Sequence, residues 1–201
     1  MIKHVIFDLG GVLIDWDPRY LFKKVFDDES EMNFFLSEVC SPAWNIQQDA
    51  GRSWQEAIRE RTELYPKFEN EIRMYYERWT EMLGGVIEGS LQILNELQRK
   101  KGADIYALTN WSEETFGYAV ERYDFLSSFH GIVVSGIVKK IKPDPDIYFH
   151  LANTFNIDLK SSLFIDDNEQ NILTAKKLGM HVIHFSTPEQ LKQELEQFKI
   201  R

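Results

Sequence analysis

Five short apolar runs recur along the chain, and most are separated by stretches with the hydrophobic periodicity of helices. The runs have the length of buried strands and are Val5–Phe7, Ile105–Leu108, Ile132–Val134, Leu163–Ile165 and Val182–Phe185. Helical patterns occupy Leu91–Lys101, Asp146–Phe155 and Ile172–Leu178. Alternation of this kind predicts a parallel sheet with right-handed crossovers, and therefore an α/β fold.

A long segment without a strand pattern separates the first apolar run from the second. It holds helical patterns at Pro18–Phe26, Glu31–Val39, Trp54–Leu64 and Ile72–Leu83. Because a plain crossover needs far fewer residues, we expect an inserted all-helical cap at residues 16–86. The core then comprises residues 1–15 and 87–201, and Gly84–Gly85 is the expected hinge of the returning chain.

Composition and charge mainly exclude certain partners and types of site. The net charge is −9 and no basic block is present, which argues against nucleic acid or an anionic membrane as a partner. A single cysteine, Cys40, excludes a disulfide framework and a thiolate metal site. Asp8 interrupts the apolar start, unlike a signal peptide, and no run reaches transmembrane length. We expect a cytoplasmic protein, either a monomer or a homodimer.

Candidate chemistry lies at the ends of predicted strands and in one proline-rich turn. The residues concerned are Asp8, Thr109-Asn110, Lys142 and Asp166-Asp167. Open parallel sheets bind ligands beyond the carboxyl ends of their strands. Each residue alone has an ordinary structural interpretation, as a helix cap, a turn residue or a surface lysine. Their combination is what indicates a site.

The residue types indicate the kind of chemistry. A threonine hydroxyl and a backbone N–H at a strand end can hold a phosphoryl oxygen. Adjacent carboxylates such as Asp166 and Asp167 repel each other unless a cation compensates, and oxygen ligands suit Mg²⁺.

Four segments resemble the motifs of the haloacid dehalogenase-like (HAD) superfamily, in the same order along the chain. They read VIFDLGGVL, ALTN, KIKPDPDIY and LFIDDNEQNILTAKKLG. The resemblance covers essentially the whole chain and is narrower for the subfamily with a helical cap after the first strand. Within that subfamily, the chain resembles sugar-phosphate phosphatases such as bacterial glucose-1-phosphate phosphatase, and the phosphatase-like N-terminal domain of soluble epoxide hydrolase. The resemblance implies a Rossmann-like sheet of strand order 5-4-1-2-3.

The same resemblance implies a Mg²⁺-dependent phosphatase for a small phosphorylated metabolite of the sugar-phosphate type. Asp8 is then the nucleophile that forms an aspartyl-phosphate, and Lys142 orients it and neutralises charge. Thr109, Asn110 and Lys142 are the expected substrate-binding residues. The expected metal ligands are Asp8, the backbone carbonyl of Gly10, Asp166 and Asp167. Of the acidic pair, Asp167 is the expected direct ligand, and Asp166 binds directly or through water.

The sequence departs from the family pattern at Gly10. Most phosphatases of the family carry a second Asp there, which acts as general acid and base. Such catalysis contributes about 10²–10⁴-fold, so we expect the rate to depend on the basicity of the leaving oxygen. Asp15 and Asp17 follow closely, but nothing in the sequence places either carboxylate in the site.

Two other functions remain open at this point. A metal-independent 2-haloacid dehalogenase also lacks the second Asp, because halide leaves without a proton, yet it carries small neutral residues where this chain has Asp166-Asp167. A catalytically weak binding or regulatory protein on the HAD scaffold is the other. A response-regulator receiver does not fit, because its acidic pair comes early in the chain and it has no cap.

A polar stretch of the cap is the expected reader of the leaving group. Its residues are Trp44, Asn45, Gln47, Gln48, Asp49, Gly51 and Arg52, taken as a loop between helices. The alternative is an exposed turn with Trp44 folded into the cap core. Helical spacing favours a place in the cap core for Trp54, Tyr75, Tyr76 and Trp79.

Overall fold

A computed structural model of the protein describes residues 1–198 and Ile200. Its strands are β1 (His4–Phe7), β2 (Ile14–Trp16), β3 (Leu83–Val86), β4 (Asp104–Thr109), β5 (Gly131–Val134), β6 (Ser162–Asp166) and β7 (His181–His184). Five of them form a parallel sheet in the order β5-β4-β1-β6-β7. Counted without β2 and β3, this order is 3-2-1-4-5, which is 5-4-1-2-3 read from the opposite edge. The predicted α/β class is confirmed.

Helices flank the sheet and fill the segment between β2 and β3. They are α1 (Arg19–Phe22), α2 (Glu29–Phe34), α3 (Pro42–Asp49), α4 (Trp54–Leu64), α5 (Glu69–Glu77), α6 (Glu88–Lys100), α7 (Glu113–Arg122), α8 (Ser135–Val138), α9 (Pro145–Phe155), α10 (Glu169–Lys177) and α11 (Pro188–Leu195). A π-helical turn covers Phe35–Val39, and 3₁₀ turns cover Pro66–Phe68, Trp79–Met82, Asp124–Ser128 and Leu159–Ser161. Within the described residues, no helix combines the length and apolar character needed to cross a membrane.

The two faces of the sheet bury two hydrophobic clusters. Side chains alternate along β1, so Ile6 packs on one face while Val5 and Phe7 pack on the other. The Ile6 cluster includes the apolar sides of α9 and α10. The other cluster includes α6 and continues into the aromatic core of α1–α5. Sheet and inserted helices therefore share one apolar cluster, and a division at residues 16 and 86 stays a prediction.

A short antiparallel pair of strands, β2 and β3, flanks the helices of the insertion, and the expected glycine hinge lies within β3. Ile14 pairs with Val86 and Asp15 with Gly85 in an antiparallel ladder. Gly85 has a φ of +117°, and a Cβ atom at Gly84 would clash with the Asp15 carboxylate. The two glycines therefore permit close pairing within a strand.

Helix α3 corrects one expectation, because most of the predicted polar loop is helical. Ser41 caps α3, its Oγ accepting the Trp44 N–H at 3.3 Å, and Pro42 occupies the first helical position. Helices α7 and α11 were also not predicted. The pattern at Leu91–Lys101 is confirmed as α6, which Lys101 ends with a φ of +51°.

Candidate active site

The site forms where three neighbouring strands end together. Strand β1 lies between β4 and β6, and Phe7 pairs with Ala107 on one side and Ile165 on the other. The Asp8 N–H still donates to the Ile165 carbonyl at 2.8 Å. Asp8 and Asp166, the next residues of their strands, therefore emerge side by side at the carboxyl edge.

Lys142 lies between these two carboxylates. Its side chain is fully buried, with Nζ 2.9 Å from Asp8 Oδ1 and 2.7 Å from Asp166 Oδ2. The Asn110 side chain fixes the lysine backbone, accepting its N–H and donating to its carbonyl, both at 2.9 Å. Burial acts to lower the pKa of Lys142, but the charges of Asp166 and Asp8 outweigh it, so the pKa is raised.

Asp166 is fully buried, and protein groups surround its carboxylate. Besides Lys142, Asn171 Nδ2 donates to both oxygens at 3.0 and 3.1 Å, and the Asn168 N–H donates to Oδ1 at 2.8 Å. Asn168 caps α10 by accepting the Gln170 N–H at 2.9 Å. The capping role considered for the acidic pair therefore belongs to Asn168.

Asp167 differs from Asp166 in being more open to solvent. Its carboxylate lies against Gly11, where the φ is +72° and a Cβ atom would clash with it. The glycine turn after β1 thus lets the Asp167 side chain reach the site. Asp8, Asp166 and Asp167 each present an oxygen within 4.8 Å of the others.

This cluster has more carboxylates than cationic groups, so a bound cation would stabilise it. Burial raises the pKa of Asp8 to about 8; Lys142 opposes this shift, and Asp166 and Asp167 add to it. Burial also raises the pKa of Asp167, and so does the charge of Asp166. One lysine faces three carboxylates, and a divalent cation with oxygen ligands would stabilise their ionised forms. The residues therefore fit the Mg²⁺ site that the sequence implies.

A cavity of about 90 Å³ lies over this edge of the sheet. Its walls combine core residues with residues of the insertion: Gly10, Trp16, Asn45, Asp49, Trp79, Asn110, Trp111 and Thr115. A larger cavity of about 940 Å³ shares Trp16, Asn45 and Asp49 with it and extends among α1, α2 and α3. Thr109, the last residue of β4, is buried at the same edge.

Three polar atoms in the wall of the smaller cavity have no hydrogen-bond partner within residues 1–198 and Ile200. They are the indole nitrogens of Trp16 and Trp111 and the side-chain oxygen of Asn45. Buried polar groups are nearly always paired in folded proteins. Two donors and one acceptor are therefore available to a ligand in this cavity.

Comparison with known proteins identifies the family. The haloacid dehalogenase-like hydrolase model matches residues 2–179 of the chain. The chain belongs to this family. The predicted family and the predicted hydrolase class are both confirmed.

Several relatives of this HAD-like hydrolase are phosphatases. It is 23% identical over 197 residues to sesquiterpene phosphatase astK of Aspergillus oryzae, covering 97% of this chain and 95% of the relative. It is 22% identical over 187 residues to the phosphorylated carbohydrates phosphatase of Thermotoga maritima, covering 91% and 84%. The wild-type HAD family enzyme bt-2542 of Bacteroides thetaiotaomicron, in complex with magnesium and inorganic phosphate, superposes with a TM-score of 0.68. It is 27% identical, with 93% of this chain and 96% of that chain covered.

In this HAD-like hydrolase the residues expected from the core motifs lie together. Of the cap residues expected at the site, some line the cavity and others lie away from it. Asn45 and Asp49, one turn apart on α3, reach the cavity. Trp44 is buried against Trp54 and Tyr75, which is the packing alternative. Arg52 pairs with Glu60 at 2.9 Å instead.

Sequence reasoning missed the aromatic wall of the cavity. Trp16 and Trp111 had no assigned role, and Trp79 was expected in the cap core. Trp111 directly follows Thr109-Asn110, so its place beside that motif was the available signal. Neither Asp15 nor Asp17 lines the smaller cavity: Asp15 accepts the Tyr20 hydroxyl at 2.7 Å, and Asp17 accepts the Arg19 N–H at 2.8 Å.

Proposed function

We propose that this HAD-like hydrolase is a Mg²⁺-dependent phosphatase that acts on a small phosphorylated metabolite of the sugar-phosphate type. The reaction proceeds through an aspartyl-phosphate on Asp8. The observation that carries the proposal is the buried contact of Lys142 with Asp8 and Asp166, beside the open carboxylate of Asp167.

Four groups would hold the metal: the carboxylates of Asp8, Asp166 and Asp167 and the backbone carbonyl of Gly10. The oxygens of Asp166 already accept hydrogen bonds from Asn171, Asn168 and Lys142. This favours Asp167 as the direct ligand and Asp166 as a ligand through water. When bound, Mg²⁺ would neutralise charge between the carboxylates and the phosphoryl group.

The protein groups divide the remaining work. The Asp8 carboxylate attacks the phosphorus, and Lys142 holds it in position and offsets the negative charge that accumulates. The Thr109 hydroxyl and the Asn110 N–H bind phosphoryl oxygens at the end of β4. Water then attacks the phosphorus of the aspartyl-phosphate and releases inorganic phosphate.

The small cavity supports a compact, hydroxylated leaving group. Its walls offer aromatic surface from Trp16, Trp79 and Trp111, together with two indole donors and the Asn45 acceptor. Sugars present apolar ring faces as well as hydroxyl groups that donate and accept. The phosphorylated carbohydrates phosphatase among the relatives is consistent with this substrate class.

The alternative functions have less support. A metal-independent dehalogenase gives no reason for the cluster of Asp8, Asp166 and Asp167. A protein without catalytic activity gives no reason for a fully buried lysine held against a strand-end carboxylate.

A metabolite screen with Asp8→Asn as the matched variant tests the proposal. Turnover of sugar phosphates should require Mg²⁺ and fall by at least about 10³-fold in Asp8→Asn, because an amide is a poor nucleophile and a poor ligand. Asp27→Asn, which changes an exposed aspartate outside both cavities, is the control. Full activity in EDTA, with chloride release from 2-chloropropionate, would establish the dehalogenase instead.

A further inference from the structure

Gly10 leaves the proposed phosphatase without the carboxylate that usually follows the nucleophile by two residues. An ideal Cβ atom at Gly10 has no neighbour within 4 Å, so the space that a side chain would occupy is open. That space borders the cavity in which the leaving group would lie. A proton donor from another part of the chain would have room to act there.

We propose that Asp49, at the end of the inserted helix α3, is the general acid and base of this enzyme. The assignment rests on the proposed phosphatase function and adds a catalytic residue to it. Asp49 lines the same cavity as Gly10 and Asn110, on the wall that the insertion provides. Helix α3 thus supplies the proton-transferring group that Gly10 lacks.

The backbone of Asp49 is tied to the core at the carboxyl edge of the sheet. Its carbonyl accepts a hydrogen bond from the Ser135 hydroxyl at 2.6 Å. Ser135 is fully buried directly after β5, and its Oγ accepts the Trp111 N–H at 2.9 Å. The end of α3 is therefore held at the carboxyl ends of β4 and β5, on the edge of the sheet that also carries Asp8.

Further contacts hold the residues after Asp49 against the core. The Trp54 N–H donates to Glu114 at 2.9 Å, and the Trp54 indole donates to the Ser112 hydroxyl at 3.1 Å. Lys139 Nζ donates to the Gly51 carbonyl at 3.3 Å. These bonds join the insertion to α7 and α8 and hold the end of α3 against the core.

The surroundings of the Asp49 carboxyl favour a group that gives and takes a proton near neutral pH. Asn45 Nδ2, a neutral donor, lies 3.3 Å from Asp49 Oδ2. Burial raises the pKa of Asp49 to about 7, with the Ser112 N–H and the charge of Lys142 opposing the shift. Tyr75 is a second titratable group that interacts with Asp49. A pKa near the working pH suits general acid–base catalysis.

The chemistry balances over two half-reactions. First, Asp8 attacks the phosphorus and the bond to the leaving oxygen breaks. The electron pair stays on that oxygen, which takes the proton of the Asp49 carboxyl. Second, the Asp49 carboxylate takes a proton from water as the water oxygen attacks the aspartyl-phosphate. The bond to Asp8 breaks, inorganic phosphate leaves, and both aspartates return to their starting forms.

A leaving-group series for wild type and Asp49→Asn tests the assignment. Asparagine keeps the size of the side chain and an oxygen for the Asn45 contact, but it cannot transfer a proton. The value of kcat/KM, which reports the first half-reaction, should fall about 10²-fold or more for alkyl phosphates but only a few-fold for 4-nitrophenyl phosphate, since nitrophenolate needs no proton. Asp15→Asn, the matched loss of a nearby carboxylate outside the cavity, should leave the series unchanged.

The phosphoenzyme provides a readout that a merely structural role would not change. With acetyl phosphate, Asp49→Asn should accumulate more aspartyl-phosphate than wild type, because hydrolysis loses its base. Adding Gly10→Asp should restore alkyl phosphate turnover, since position 10 has room for a side chain.

Two results would overturn the assignment in distinguishable ways. An equal loss of kcat/KM on aryl and alkyl phosphates in Asp49→Asn, with no extra phosphoenzyme, would mean that Asp49 only binds or positions, while the phosphatase itself stands. No turnover and no phosphoenzyme in wild type with Mg²⁺ on any substrate would overturn the proposed function and the role of Asp49 with it.

Discussion

Asp166 and Asp167 are adjacent and chemically identical, yet their surroundings assign them different tasks. Asp166 is fully buried and accepts hydrogen bonds from Lys142, Asn171 and the Asn168 backbone. Asp167 lies against Gly11 with its carboxylate more open. The first is an internal partner that fixes the lysine, whereas the second is the one we propose as the direct metal ligand.

Amide variants of the pair should separate these tasks. Asp167→Asn should weaken Mg²⁺ binding about 10-fold or more with little change in stability, because a charged ligand is lost at an open position. Asp166→Asn should lower the free energy of unfolding by about 2 kcal/mol, since its NH₂ would face the donors Lys142 or Asn171. Mg²⁺ titration calorimetry and urea denaturation measure the two effects. Equal weakening of Mg²⁺ in both variants would show that the pair acts as one unit.

At this scale the sequence identified the residues that lie at strand ends and missed those that a helix brings in. Asp8 and Asp166 were predictable because parallel strands deliver their last residues to one edge of a sheet. Asp49 was grouped with six other polar stretch residues, and only the fold distinguishes it from Arg52. Its neighbours Gly10 and Asn110 are distant in sequence.

Among the elements, predictability followed burial. The five core strands were predicted because buried parallel strands are continuous apolar runs. Strands β2 and β3 escaped prediction because they are short, partly exposed and contain Gly84 and Gly85. Helix α3 escaped because its eight residues bury only Trp44 and Gln48, although Ser41-Pro42 is a helix-start signal.

We expect mutations in helix α3 to change which substrates the enzyme prefers. Asn45→Ala removes the unpartnered oxygen from the cavity wall. Arg52→Ala removes the pair with Glu60 and a hydrogen bond to Gln48, and neither Arg52 nor these partners line the smaller cavity. Asn45→Ala should lower kcat/KM for a hexose 6-phosphate about 2- to 10-fold more than for ethyl phosphate, which matches one hydrogen bond. The hexose 6-phosphate and ethyl phosphate both release a primary alkoxide oxygen, so both need acid catalysis to the same extent and their ratio reports recognition of the sugar.

Arg52→Ala is the control for this comparison. It should leave the ratio of the two kcat/KM values unchanged while lowering stability, because the buried Gln48 side chain loses a hydrogen-bond donor. If Asn45→Ala also left the ratio unchanged, the Asn45 oxygen would have no part in recognising hydroxyl groups.

For the molecule as a whole, the buried carboxylates of the site lower the stability of the folded protein when they are ionised. The shared apolar cluster joins the sheet to α1–α5, so the carboxylates are held within a single packed structure. Burial raises the pKa of Asp8 to about 8 and that of Asp49 to about 7, and it also raises the pKa of Asp167. Ionising these groups in the folded protein is therefore unfavourable, and a cation bound beside Asp8 and Asp167 would offset part of this effect, as expected where function and stability conflict.

This conflict predicts how pH and Mg²⁺ act on thermal stability. An unfolded Asp titrates near pH 3.9, so between about pH 4 and 8 the folded protein binds more protons than the unfolded chain. The free energy of unfolding should therefore fall as pH rises through this window. His4 acts in the opposite direction near pH 6.5, because burial lowers its pKa. One pKa unit is worth about 1.4 kcal/mol, or roughly 3–6 °C in a chain of this size.

Calorimetric melting of the metal-free protein in EDTA at pH 5 and pH 8 measures the effect. Tm should be lower at pH 8 by at least that amount, and Mg²⁺ at about 100 times its Kd should add about 2.7 kcal/mol of stability. Asp8→Asn removes a buried charge and a ligand together. Its metal-free Tm at pH 8 should therefore exceed that of wild type, and Mg²⁺ should raise it little. A wild-type Tm that is constant or rising from pH 5 to pH 8 in EDTA would contradict the charge argument. An equal Mg²⁺ shift in Asp8→Asn would contradict the place given to Asp8 among the metal ligands.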